Sequence, residues 1–344
     1  MKKILLTGNQ GYIGTVLTKI LKKKKYTVIG YDTGYYKDCL VSEDCKPDFQ
    51  IKKDLRSVNG KDLDNIDFVI HLAGLSNDPL GELKKEITNE INYLATVKLV
   101  KLAKKNKVKR FIFASTQSIY GLSKLKIELD EDFSKKNPIS SYAITKYKAE
   151  RKLHNMSSDD FVTTSLRPST VFGPSPRLRT DIVFNNLLAS AYINSKIEIW
   201  GNGKPWRPVI HVDDVCRAFL ACLIAPPEIV NKQSFNVGIL NGNFTVKQLA
   251  NKAKDYLPYS KIFLLNKLNF DERSYRVSFK KIYRILKNYY NPIWDLDNGA
   301  EQLISFYKKI NLKNIIKEDR ITNRLRQLKY LKEKNIINNK LFFR

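Results

Sequence analysis

Residues 140–150, "SSYAITKYKAE", place Tyr142 and Lys146 four positions apart. On a helix that spacing sends both side chains from one face, with their tips free to converge. A phenol titrates near pH ~10 and is no base at neutrality unless its surroundings lower that value. A fixed ammonium could do so. At ~5 Å and an effective dielectric of ~20 the attraction is roughly 3 kcal/mol, about two pKa units. The pair thus has the makings of a catalytic base and its activator. It has equally the makings of a tyrosine beside a lysine in solvent, and the rest of the chain has to decide.

The elements that would position such a pair begin at the N-terminus. "KKILLTGNQGYIGTVLTKILKKKKYTVIGYD" (2–32) reads strand, glycine turn, helix, strand. Lys3 to Thr7 is short and apolar, as suits a buried parallel strand. Gly8, Gly11 and Gly14 follow at three-residue spacing, with Tyr12 and Ile13 among them. Such glycines let the backbone turn tightly and bring a helix N-terminus against a pyrophosphate. Val16, Leu17, Ile20 and Leu21 then carry helical periodicity. Asp32 closes the next strand, where a carboxylate accepts both ribose hydroxyls of an adenosine and repels a 2′-phosphate. NAD is therefore expected over NADP. Glycines serving only turns would leave Asp32 unexplained.

The alternation continues. Asp54 and Leu55 fall where a third-strand loop could cover the adenine. "DFVIHLAG" (67–74) is a fourth strand ending in the small or compact Leu72, Ala73 and Gly74, which permit close approach to a cofactor. A long helix through Asn92 follows, then "RFIFAST" (110–116) and "VTTSLRPSTVFG" (162–173) as further strands. This order predicts an α/β fold with a doubly wound parallel sheet and ligands at the carboxyl ends of its strands.

Composition narrows the classes. The chain has 344 residues, 43% of them apolar, enough for a sizeable core. No apolar run approaches the ~20 residues that cross a bilayer. The opening "MKKILLTGNQGYIG" imitates a signal peptide only until Thr7-Gly8, so a cytoplasmic location is expected. Cys39, Cys45, Cys216 and Cys222 form no Cys-x-x-Cys, and His71, His154 and His211 lie far apart, so neither a disulfide framework nor a metal site is indicated. The formal charge of +27 could serve nucleic acid or an anionic membrane. Its lysines are spread along the chain, however, which favours general solvation with part of the charge serving a polyanionic small molecule.

Taken together, Gly8-x-x-Gly11-x-x-Gly14, Asp32, "HLAG", "INYLAT", "ASTQSIYG", Tyr142-x-x-x-Lys146 and "LRPSTVFGP" resemble the extended short-chain dehydrogenase/reductase family in order and spacing. The likeness is to its NAD-dependent nucleotide-sugar epimerase/dehydratase branch. "GNGKPWRPVIHVDDVCRAF" (201–219), "FNVG" (235–238) and "DERSYRVS" (271–278) resemble that branch's substrate domain, so the likeness spans roughly 1–311. It implies a Rossmann sheet with a smaller α/β substrate-binding lobe, NAD as cofactor, a nucleotide-diphosphate sugar as substrate and a homodimer. It also implies Tyr142 as base, Lys146 as its partner at the nicotinamide ribose, and Thr116 on the sugar hydroxyl. Asn92 and Pro168 match cofactor-side positions, with Ala95 standing where a small Gly is usual. Asn186, Arg207 and Arg273 match substrate positions, the two arginines gripping the diphosphate. Asn77 and Asp78, after "HLAG", lie near enough to the cofactor edge for a substrate role.

One departure bears on the reaction. The family's sugar 4,6-dehydratases carry an Asp-Glu pair after the active-site Thr; here Gln117 and Ser118 stand there. Epimerisation at C4 through a keto-sugar is the leading expectation, and a 4-dehydrogenase or ketoreductase using the same Thr, Tyr and Lys is the alternative. A non-catalytic nucleotide- or RNA-binding protein is a remote third, since it has no use for those three residues together. Arg177 and Arg179 in "GPSPRLRTD" are either sugar or phosphate contacts or a solvated basic loop. His211 reads as a core histidine, and Asp213 and Asp214 as first-turn helix charges. The expected organisation is a cofactor domain over 1–172 with 208–240 returning to it, and a substrate lobe from 173–207 and 241–311. Residues 312–344 follow as a docked, basic, amphipathic appendage.

Overall fold

The computed structural model describes residues 1–123, 127–265 and 274–344. The first strands are β1 (Lys3–Thr7), β2 (Thr27–Asp32), β3 (Phe49–Lys52), β4 (Phe68–His71), β5 (Arg110–Ala114) and β6 (Val162–Pro168). After them come β7 (Thr170–Phe172), β8 (Lys196–Trp200), β9 (Trp206–His211), β10 (Gln233–Val237), β11 (Asn243–Thr245) and β12 (Lys261–Leu265). Seven strands pair in parallel in the order β10-β6-β5-β4-β1-β2-β3. The order reverses between β1 and β4, and a ligand crevice opens at such a switch point, outside the carboxyl ends of the strands.

Why these segments become central strands is visible in β1. Ile4 and Leu6 enter one core with Leu17, Leu21 and Phe219, while Leu5 enters another with Val69, Leu99 and Phe111. Side chains alternate across a strand, so an unbroken apolar run is buried only when helices cover both faces. The helices Tyr12–Lys23 and Val212–Ile224 cover the first face; Ala95–Lys105 and Ser141–His154 cover the second. A third core gathers Phe172, Phe184, Leu188, Ile199, Leu249 and Leu303, around β8 and β12 and the helices Val183–Asn194, Val246–Tyr256 and Leu296–Lys309. A small sheet β11-β9-β7 lies beside it.

Two local forms differ from the sequence expectation. "VTTSLRPSTVFG" is not one strand: it breaks at Ser169, whose N–H makes the last bond of the β6–β10 ladder, to Val237 O at 2.8 Å, before β7 turns to pair with β9. The helix through Asn92 is not uniform either. It winds as a π-helical turn over Glu90–Leu94 before resuming as Ala95–Lys105. Such a turn re-aims one side chain within a helix and often marks a functional site.

The helix Ser141–His154 is fastened to the sheet by charge. Arg167 of β6 donates through Nε and Nη2 to Glu150, both side chains being almost wholly buried. The Arg167 Nη1 reaches the Tyr120 hydroxyl at 3.0 Å, and Ser234 donates to Glu150 Oε1 at 3.1 Å. Burial alone would raise the Glu150 pKa, but the Arg167 charge and hydrogen bonds overcome it and hold the carboxyl down at about 2. The unfolded chain protonates this group near ~4.3, so its contribution is complete above that pH and is lost as pH falls towards 2. Glu150→Gln should lower stability by on the order of 3 kcal/mol at pH 7, because the Arg167 charge stays buried without its counter-ion. Urea unfolding checks this, and the gap from the parent should narrow below pH ~4.

Candidate active site

The helix Ser141–His154 starts at Ser140, whose hydroxyl accepts from Ala143 N at 3.2 Å. Tyr142, Lys146 and Glu150 then follow at four-residue intervals along one buried face. Each meets a different part of the sheet. The Tyr142 phenol lies beside the Thr116 hydroxyl, close enough for the hydroxyl to favour its ionised form. Thr116 stands just beyond β5 as the cap of a short turn, its Oγ1 accepting from Ser118 N at 3.1 Å. That acceptance leaves the threonine O–H free to donate to the phenol oxygen. Lys146 Nζ donates to Ala114 O at 2.8 Å and lies 4.7 Å from the Phe113 ring centroid.

The electrostatics correct the opening expectation. Burial pushes the Tyr142 phenol up to about 12; the Thr116 hydroxyl pulls the other way. Burial pushes Lys146 down to about 7. The leading influences on the phenol are burial, Thr116, Asp78, Arg179 and Tyr275, and Lys146 is not among them. Its ammonium is turned to the β5 carbonyl, and desolvation outweighs the Coulomb gain reckoned from four-residue spacing alone.

The segment after β4 closes over this face. Asn92, re-aimed by the π turn, clamps Leu75 by accepting its N–H at 2.8 Å and donating to its carbonyl at 3.1 Å. Gly74 lets the backbone through, since a Cβ there would stand 2.9 Å from Asn92 Oδ1 and 3.6 Å from Lys146 Nζ. Asn92 and Lys146 thus meet at one point of the crevice. Asn77 caps a helical turn by accepting from Leu80 N at 3.0 Å, so its carbonyl oxygen is used structurally. Asp78, named with Asn77 for a substrate role, accepts from the Ser140 hydroxyl. Sequence reasoning missed Gly81, where a Cβ would stand 2.9 Å from the Tyr142 Cβ, and no periodicity announces it.

The glycine turn fits a dinucleotide. Gly8, at φ +74°, packs its Cα against Leu72 and Ala73, where a Cβ would be 2.7 Å from Ala73 N. A Cβ on Gly14 would stand 2.1 Å from Gly8 O. Gly11 begins the helix with no side-chain cap, so first-turn N–H groups are left for an anion. Asp32 Oδ2 accepts from Gln10 N at 3.2 Å and Oδ1 from Gly34 N at 2.8 Å. Burial raises its pKa, while these donors, Arg177 and Arg324 lower it. Other cofactor candidates have structural side-chain roles. Tyr12 donates to Gly173 O at 2.6 Å, and Ile13 packs into the core. Asp54 is gripped by Arg56 through bonds of 2.9 and 2.8 Å, and Leu55 is buried in the core. Pro168 ends β6 opposite Val237.

On the substrate side, Arg207 is buried in β9 and donates to Trp206 O at 2.9 Å. Arg273 lies outside the described residues. Asn186 is exposed on its helix, with Nδ2 on Thr180 O at 2.9 Å. Its neighbour Asn185, unnoticed in the sequence, is fully buried and joins Gly173 N, the Tyr12 hydroxyl and Arg179 O. Arg177 and Arg179 are not a solvated loop: both are buried, Arg179 bonding Asp181 twice and Ser76 Oγ at 3.4 Å. His211 is a core residue stacked on Trp294 at 4.3 Å. Gln117 is also internal, donating to Arg167 O at 3.0 Å and accepting from Ser169. Among the described residues no His, Cys, Asp or Glu cluster is placed to hold a metal, and no helix is long and apolar enough to cross a membrane.

The chain as a whole is similar to known proteins. A Bacillus subtilis protein described as an uncharacterized UDP-glucose epimerase, YtcB, is 27% identical over 69% of this chain and 76% of its own. The human dTDP-D-glucose 4,6-dehydratase is 28% identical over 72% of each. The solved structure of MoeE5 in complex with UDP-glucuronic acid and NAD superposes with a TM-score of 0.77 at 25% identity. It covers 89% of this chain and 99% of its own, so about a tenth of this chain has no counterpart there. Residues 4–238 match the NAD dependent epimerase/dehydratase family. The chain is a member of that family, an NAD-dependent enzyme of the extended short-chain dehydrogenase/reductase type.

Proposed function

We propose that this enzyme inverts C4 of a nucleotide-diphosphate hexose through a transient 4-keto sugar. The observation that carries the reading is the juxtaposition of Thr116 and Tyr142, whose hydroxyl and phenol influence one another, set beside a position that holds Gln117 in place of an acid. Bound NAD would accept a hydride from C4 and return it. Thr116 orients the C4 hydroxyl, and Tyr142 acts as the phenolate, a form that Thr116 and the positive charge of bound oxidised nicotinamide would favour: its oxygen takes the hydroxyl proton as the C–H pair leaves and the C=O bond forms. Tyr142 gives the proton back when the carbon is reduced from its other face, so nothing is consumed. Lys146, anchored on Ala114 O, supplies a donor beside Asn92 and Gly74 where the ribose would lie. Dehydration would need a carboxyl to deliver a proton to the leaving C6 hydroxyl. Gln117 cannot, being held on Arg167 O and Ser169.

The experiment is incubation with a panel of nucleotide hexoses, UDP-glucose and UDP-glucuronate first because relatives bear those names. Products are resolved while the absorbance of reduced nicotinamide is followed. An epimer without accumulating NADH supports the reading. Stoichiometric NADH would establish the alternative 4-dehydrogenase, and a 4-keto-6-deoxy product would refute the role given to Gln117. Tyr142→Phe should cut turnover by about 10³-fold or more while leaving NAD bound. Asp32→Ala should weaken NAD relative to NADP, read as the ratio of the two Kd values; an unchanged ratio contradicts the cofactor assignment.

Lys146 also predicts a conflict between activity and stability. Its folded pKa of about 7 lies below the ~10.4 of an unfolded lysine. Between those values the unfolded chain binds more protons, so this group makes the fold less stable as pH drops from ~10 to ~7. Lys146→Met should therefore raise the Tm of cofactor-stripped protein near pH 7 by a few degrees, with the gain fading by pH ~10, and abolish turnover. Thermal unfolding at both pH values checks this.

A further inference from the structure

The last thirty-odd residues lie beyond the matched family region, which ends at 238, and their contacts are not those of a surface tail. Leu328 and Leu331, on the helix Arg324–Glu333, share a core with Tyr35, Leu75, Leu80 and Ile87. These partners come from the loop after β2 and from the segment after β4, the two walls of the dinucleotide crevice.

Arg324 fixes the near end. Only 2% exposed, it donates through Nη2 to Arg177 O at 2.7 Å, and its guanidinium sits 4.6 Å from the Tyr36 ring centroid. Gln327 Nε2 reaches Tyr35 O at 3.0 Å. The far end crosses the loop after β3. The Tyr35 hydroxyl donates to Leu341 O, and Arg56 Nη1 donates to Lys340 O at 2.8 Å. Arg56 also lies 3.6 Å from the Phe342 ring centroid while gripping Asp54. Phe343 stacks on Tyr35 at 5.6 Å, with the Lys52 ammonium 5.2 Å from its centroid. Lys52 is the β3 register partner of Asp32. The segment therefore spans from the Asp32 turn to the Asp54 turn, where an adenosine would rest, and onward to the Leu80 segment that packs on Tyr142.

We propose that residues 312–344 are a built-in part of the dinucleotide site, a strap that ties the loops after β2, β3 and β4 together and slows release of the cofactor's adenosine end. It deepens the epimerase reading, because an enzyme that regenerates its cofactor at every turnover has no need to let it go. It does not depend on that reading, since NAD use belongs to the family.

The test is NADH dissociation, followed by displacement with excess NAD in the full-length protein, in a form lacking residues 336–344, and in Tyr35→Phe and Phe343→Ala. The truncated form should release NADH about tenfold faster, equal to ~1.4 kcal/mol of retained binding, and should purify with less bound NAD. Each point variant should release it a few-fold faster at unchanged circular dichroism. Unchanged rates in folded variants would overturn the strap, and slower release or tighter binding on truncation would show an obstruction instead. Should the truncated form fail to fold, the two point variants decide by the same criteria. No sugar is turned over in this measurement, so a wrong substrate assignment leaves it readable.

Discussion

A single buried ion pair governs whether the chemistry can be assembled. Glu150 and Arg167 pin the helix Ser141–His154 to β6, and everything on that helix face inherits its depth from the pin. Taking two charges out of water is expensive and is repaid only when hydrogen bonds satisfy both. Tyr120 and Ser234 complete that satisfaction here. Two turns earlier on the same face, Tyr142 then arrives at Thr116 and Lys146 at the end of β5. Misplacing a reacting hydroxyl by an ångström can cost orders of magnitude in rate, so on the proposed reading such a fastening bears on turnover as well as on structure.

The fold was largely readable from the chain because its signals are local. Apolar runs, glycine spacing and an acid at a strand end name a parallel sheet and its crevice without knowledge of long-range contacts. The Tyr142–Lys146 interval was readable for the same reason, and the two residues do share one buried helix face. Its third member, Glu150, lay in the same stretch and went unread, because a carboxylate on a helix looks solvated until its partner arrives from β6. The charge state of the pair was misjudged. Spacing places Lys146 near Tyr142, but only the tertiary structure shows its ammonium turned to Ala114 O and both groups desolvated. Gly81 and Asn185 were illegible for a related reason: each matters through a neighbour distant in sequence.

Burial sets the terms on which this site works. A phenol held near 12 and an ammonium near 7 describe groups kept from water, where each added charge acts strongly. Thr116 is a neighbour able to favour the phenolate, and a cationic ligand in the crevice would act in the same direction. The C-terminal segment belongs to the same economy of exclusion, since it covers the loops that face the crevice and buries Arg324 among them.

In the proposed reaction one hydrogen leaves C4 and comes back to it. A substrate bearing deuterium at C4, converted by the enzyme with its resident cofactor, reports this through the mass and position of the label in the product. An inverted C4 with deuterium still attached is the expected product. Label lost to solvent, or recovered in released reduced cofactor, would rule the reaction out.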